Sequence, residues 1–132
     1  MKLKIAYWAV TGLFSLMMLG SGLMYLSGAP QAVEGFRHLG YPDYFRTLLG
    51  VAKLAGAVAL LVPMVPRTLR EWAYAGFAFT LVAGVVSHAA AGDPMGQVMA
   101  PAIALGVLLT SHQLGYRVER GAEQVAARPA MG

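Results

Sequence analysis

Charge is sorted along this chain, and the sorting limits what it can fold into. Of 132 residues, 12% are charged and 58% are hydrophobic. A soluble domain carries about 25% charged residues. All the charges except Arg46 and Lys53 lie outside four apolar stretches, at residues 5–26, 44–62, 72–91 and 95–115. A spanning helix needs about 20 mostly apolar residues, and in lipid its backbone must bond to itself. The pattern therefore predicts an all-α integral membrane protein of four helices. It excludes a water-soluble enzyme, a disordered chain and a nucleic-acid binder. A chain this short is one domain. The expected division is a transmembrane unit over 1–116 and a polar tail over 117–132.

The first stretch follows Lys2 and Lys4, as in a signal peptide. It is longer than the roughly 7–15 residues of a signal h-region, so it reads as a retained span. The chain has no cysteine, which removes thiol redox chemistry, disulfides and thiolate metal sites.

Helix punctuation falls between the stretches. Asp43, after Pro42, is the expected N-cap of the second span. Pro63 and Pro66 end it. Thr68 and Glu71 have capping-box spacing at the third. Asp93 is the expected N-cap of the fourth, with Pro94 at its first helical position. Short second and third connections favour antiparallel neighbours, hence an up-down-up-down bundle. The longer first connection carries Val33, Phe36 and Leu39 at three-residue spacing. It predicts a short interfacial helix at about 30–39, with a plain loop as the alternative. The tail, rich in small and polar residues, is expected to fray.

Topology follows from counting Lys and Arg. Lys2, Lys4, Arg67, Arg70, Arg117, Arg120 and Arg128 fall on the side of the termini; Arg37 and Arg46 fall on the other. This bias predicts cytoplasmic termini; the membrane is expected to be a bacterial inner membrane.

Lys53 is the one charge in mid-span. On insertion scales its cost there is about 2.5–3.5 kcal/mol. Nearby Gly50 and Gly56 allow another helix to approach, so Lys53 is expected to face the bundle interior. The third span carries Gly76, Thr80, Gly84 and His88 at four-residue spacing. Side chains lean toward the N-terminus of their own helix. Lys53 and His88 therefore approach each other in depth. Ser21, Tyr25, Ser87 and Gln97 lie at similar depths. A polar pocket in the outer half of the bundle is expected from Ser21, Tyr25, Lys53, Ser87, His88 and Gln97, with Asp93 at its mouth. The bland alternatives are a snorkelling Lys53, a water-facing His88, a purely capping Asp93 and surface roles for His38 and His112. No metal site is expected. His88 and His112 differ in depth by roughly 20 Å from the helix rise, too far to ligate one haem iron.

Several pieces together resemble the DoxX-like family of small four-helix membrane proteins. They are Tyr7-Trp8 with Thr11, Ser21-Gly22, and Leu39-Gly40-Tyr41-Pro42 with Tyr44. Further along come Leu49-Gly50 with Lys53 and Gly56, then Pro63 with Pro66. Glu71-Trp72-Ala73-Tyr74-Ala75-Gly76-Phe77 is the most specific piece, followed by Ser87-His88 and Gly92-Asp93. The resemblance spans about residues 2–116. It implies association with membrane oxidoreductases, since related DoxX and DoxD proteins include parts of a thiosulfate:quinone oxidoreductase. No intrinsic cofactor motif is present. The expectation is an oxidoreductase-associated subunit that binds a quinone-like ligand and takes electrons from a membrane or soluble partner. The alternatives are a scaffold or assembly factor, self-associating or not, and a cofactor-free enzyme with His88 as base and Lys53 as electrostatic stabiliser.

Overall fold

A computed structural model describes residues 1–130 of the chain. Those residues form five helices and no strand. They are α1 (Lys2–Ser27), α2 (Pro30–His38), α3 (Asp43–Leu61), α4 (Arg67–Ala90) and α5 (Met95–Ala126). All but α2 are long and apolar enough to cross a membrane. The four predicted spans are thus present as helices. The last extends beyond its predicted end at 115, and the tail expected to fray is helical to Ala126. One reason is a pair of ion contacts from Glu119, to Arg67 at 3.3 Å and to Arg70 at 3.6 Å, which tie this extension to α4.

The helix starts differ from expectation. Pro42, Pro66 and Pro94 occupy the N-cap positions, with no side-chain capping bond. A proline there has no N–H to satisfy, and its fixed φ suits the extended entry to a helix. The candidate caps are used elsewhere. Asp43 pairs with Arg37 at 3.2 Å. Thr68 and Glu71 lie inside α4, and Glu71 accepts from His112 Nε2 at 2.9 Å. Asp93 meets two histidines, described below.

The core is made by α1, α3, α4 and α5. Phe14 and Met18 of α1 pack with Ala57 and Leu60 of α3, Tyr74, Phe77 and Leu81 of α4, and Ala104 and Leu108 of α5. Helix α1 packs on α3 and α5, α4 packs on α5 and α3, and α2 rests on α3 and α1. Contacts between α1 and α5 fall in opposite chain order: Thr11 bonds Ser111, and Tyr7 lies against Gly115. A Cβ at Gly22 would lie 3.1 Å from the Gly50 carbonyl oxygen, so these glycines bring the backbones of α1 and α3 together. Large apolar side chains such as Leu16, Phe79 and Ile103 point outward. That is the distribution expected where the surroundings are lipid.

Besides Gly28, with φ 71° between α1 and α2, two left-handed glycines shape the end that carries α2. Gly40 has φ 85° and Gly92 has φ 72°. In both cases the next N–H reaches back five residues: Tyr41 to Phe36 at 2.9 Å, and Asp93 to His88 at 3.0 Å. These are Schellman endings, which need a residue tolerant of positive φ. Their consequence is positional. Tyr41 folds under α2, and Asp93 folds back onto α4.

Candidate functional site

A cavity of about 620 Å³ lies at that end of the bundle. Its polar edge includes Ser21 and Tyr25 of α1, Tyr41 of the α2–α3 connection, Lys53 of α3, and Ser87 and His88 of α4. Its apolar wall includes Phe36, Phe45, Leu81, Pro101 and Ala104. The sequence has Lys53 and His88 approach each other in depth; the fold also brings them to one cavity.

Lys53 is only 8% exposed. Its Nζ donates to Ser21 Oγ at 3.1 Å and to Tyr25 Oη at 3.2 Å. The same nitrogen stands 4.4 Å from the centroid of the Tyr25 ring. Both acceptors are neutral hydroxyls, and no salt bridge to Lys53 occurs among the described residues. A cation held by neutral oxygens and a ring face keeps its electrostatic influence over the cavity, because no anion cancels it.

His88 is oriented from outside the cavity. Its Nδ1 is 2.7 Å from one carboxylate oxygen of Asp93, and His38 Nε2 is 2.6 Å from the other. One carboxylate thereby joins the end of α2 to the end of α4. Bonding to His88, and then to His38, holds the Asp93 carboxyl below its usual pKa, because each bond favours the charged form. With Nδ1 engaged by Asp93, the Nε2 of His88 is left available for another partner.

A second tie runs alongside. Tyr41 Oη and Ser87 Oγ are 2.6 Å apart. Arg46, one turn into α3, donates to the Tyr25 backbone carbonyl. Its Nε is buried without a partner.

Five of the seven predicted site residues, Ser21, Tyr25, Lys53, Ser87 and His88, line the cavity. Asp93 lies behind His88 and outside the wall. Gln97 is exposed and takes no part in the wall. Depth on α5 alone misplaced it, since depth carries no azimuth. Three contributors were absent from the predicted set: Tyr41, His38 and Arg46. Tyr41 reads in the sequence as an interfacial aromatic and His38 as a surface residue. Only the turn at Gly40 and the fold back at Gly92 give them their partners.

A separate polar cluster occupies the opposite half. Ser111 Oγ is 2.5 Å from Thr11 Oγ1 and 2.7 Å from Tyr74 Oη. It closes three helices with hydroxyls. Ser15 Oγ, four residues after Thr11 in α1, is buried without a partner. Among the described residues, no group of His, Cys, Asp and Glu is arranged to hold a metal ion.

Four bilayer-length apolar helices packed round a shared core define a small integral membrane helical protein. More particularly, the chain belongs to the DoxX-like family, whose model it matches over residues 9–111. It is also similar to the uncharacterized protein YdgD of Bacillus subtilis (strain 168), with 42% identity over 43 residues. That match covers 33% of this chain and 38% of the B. subtilis protein. No solved structure matches the chain.

Proposed function

We propose that this protein is a membrane subunit that holds a quinone-like lipophilic ligand at Lys53 and serves an oxidoreductase partner. The observation that carries the reading is the shared cavity. Lys53, Tyr25, Ser21, Ser87 and His88 converge on one space otherwise lined by apolar and aromatic side chains. Small-molecule sites are concave and mostly apolar, with few polar groups and volumes of about 300–1,000 Å³. A quinone-like ring asks for donors at its carbonyl oxygens and flat apolar walls. Lys53 and Tyr25 supply donors on one side, and His88 supplies one on the other. Phe36, Phe45 and Leu81 supply walls. The bound group would bring redox chemistry that the chain's own side chains lack. Lys53 would favour negative charge on an adjacent oxygen, while Asp93 holds His88 in place.

In this reading the four long helices cross a bacterial inner membrane up-down-up-down, with the termini in the cytoplasm. The opposite ordering of contacts between α1 and α5 supports that arrangement. The cavity then lies toward the outer face, beneath α2 in the interface.

Binding of a decyl-chain quinone to the purified full-length protein in lipid nanodiscs tests the proposal. Saturable binding is expected. Lys53→Met should weaken it at least tenfold while circular dichroism stays unchanged, because a charge-assisted bond is replaced by none. Absence of saturable binding to the wild-type protein contradicts the proposal. Recovery of an intact partner complex with the Lys53→Met, His88→Ala double variant would then favour a scaffold role.

A further inference from the structure

Lys53 borders a second space. A groove of about 490 Å³ runs between α3 and α4, lined by Ala55, Gly56, Ala59, Leu69, Trp72 and Gly76, among others. Leu49, Ala52, Lys53 and Thr80 line both this groove and the cavity. The two spaces therefore adjoin at the amino-bearing residue. From Thr80 the groove follows α4 to Leu69, a rise of about 17 Å for eleven residues. Lys53 and Thr80 stand at one end, and toward the other the indole N–H of Trp72 is the polar side-chain group in the lining. Along the way it meets small residues and the exposed edge of Trp72.

The geometry points to a two-part site, with a polar carbonyl-bearing head in the cavity at Lys53 and a long hydrocarbon tail of the same molecule along the α3–α4 groove toward Trp72. The inference rests on the ligand reading above and adds the class of ligand: a membrane-soluble molecule with one polar ring and a long apolar chain, entering sideways from the bilayer. The four residues shared with the cavity, Lys53 among them, are what select a ligand tail as the occupant. A helix seated in the groove would meet Lys53 without offering it a partner.

Gly76 is the position at which to test it. A Cβ built there meets nothing within 4 Å, so a substitution does not clash at its first side-chain atom, and Gly76 itself lines the groove. Gly106 of α5 is equally open, is exposed and lies outside the groove, which makes it the control. Binding of two quinones would be compared in nanodiscs, one with a decyl chain and one with a methyl group in its place. Wild-type protein should still prefer the decyl compound by roughly threefold or more after correction for partition, which removes the water-to-lipid term and leaves van der Waals packing of the chain against the groove. Gly76→Phe should abolish that preference and leave the methyl compound's affinity unchanged. Gly106→Phe should leave both unchanged. Full retention of the preference in Gly76→Phe overturns the tail site alone. Failure of wild-type protein to bind either compound overturns the head-group reading and the tail site together.

A photoreactive group at the chain end gives a readout on the unsubstituted protein. Adducts on the 65–73 segment are expected. Adducts confined to the outward faces of α1 or α5 would overturn the inference.

Discussion

Lys53 and Tyr25 make a two-sided contact. The Lys53 amino group donates to the Tyr25 hydroxyl at 3.2 Å and stands 4.4 Å from the centre of its ring. Tyr25 thus solves much of the problem of a charge in mid-span. Its ring also packs edge-on to Phe36 of α2, with centroids 4.9 Å apart. The Lys53 environment and the position of α2 are therefore linked through one side chain.

That link separates two substitutions. Tyr25→Phe keeps the ring and Ser21 as an acceptor but removes one hydroxyl. Hydrogen bonds between membrane helices average about 0.6 kcal/mol and reach about 1.7. Stability in a reversible unfolding assay should fall by about that much. Tyr25→Leu also removes the ring from Lys53 and Phe36, and should cost about 1 kcal/mol more. Equal losses in the two variants would show that the ring face contributes nothing.

Gly56 and Phe77 predict a steric effect of definite sign. A Cβ at Gly56 would lie 2.7 Å from two atoms of the Phe77 ring. Phe77 is buried and meets Phe14 edge-on at 5.2 Å, so it has little room to retreat. Gly56→Ala should destabilise by about 1–3 kcal/mol, the usual range for overpacking. Gly12→Ala, where nothing lies within 4 Å, should be neutral or stabilise by up to about 1 kcal/mol through helix propensity. Thermal unfolding of the two variants side by side checks the contrast.

The Asp93 tie gives a pH dependence. Its folded pKa is lowered from 3.8, through His88 first and His38 second. Above pH 3.8 the carboxylate's contribution to holding α2 against α4 is fully present. It is lost as pH falls through the lowered folded value. Hydrogen–deuterium exchange over residues 30–41 should accelerate as pH drops below about 4, after correction for intrinsic exchange. Asp93→Asn should exchange faster already at pH 6 and lack the acid-dependent acceleration. Matching wild-type and variant profiles would show that the tie does not hold α2.

Much of the fold was legible because the bilayer simplifies the problem. Long apolar runs, each with backbone that must bond internally, mark α1, α3, α4 and α5, and the three-residue spacing of Val33, Phe36 and Leu39 marks α2. The extension of α5 was hidden because Glu119 finds Arg67 and Arg70 only once α4 and α5 lie side by side. For the site, helix rise gave the depth of Lys53 and His88, and glycine spacing indicated an inward Lys53. Helix rise does not give rotation about the helix axis, so Gln97 falls in the expected pocket although it faces out. The Tyr41–Ser87 and His38–Asp93 bonds span 46 and 55 residues and depend on two glycine turns. The Thr11–Ser111–Tyr74 cluster is not legible in the sequence because lone hydroxyls in apolar helices carry no motif.

The proposed role turns on whether the Lys53 amino group bonds the ligand itself. Infrared difference spectra of a quinone labelled with 13C at its carbonyls, bound in nanodiscs, read that bond directly. A carbonyl band shifted to lower frequency from its position in lipid alone is expected in the wild-type protein and should be lost in Lys53→Met. A bound quinone whose carbonyl bands are the same in both proteins, and the same as in lipid, would contradict a role for Lys53 in holding it.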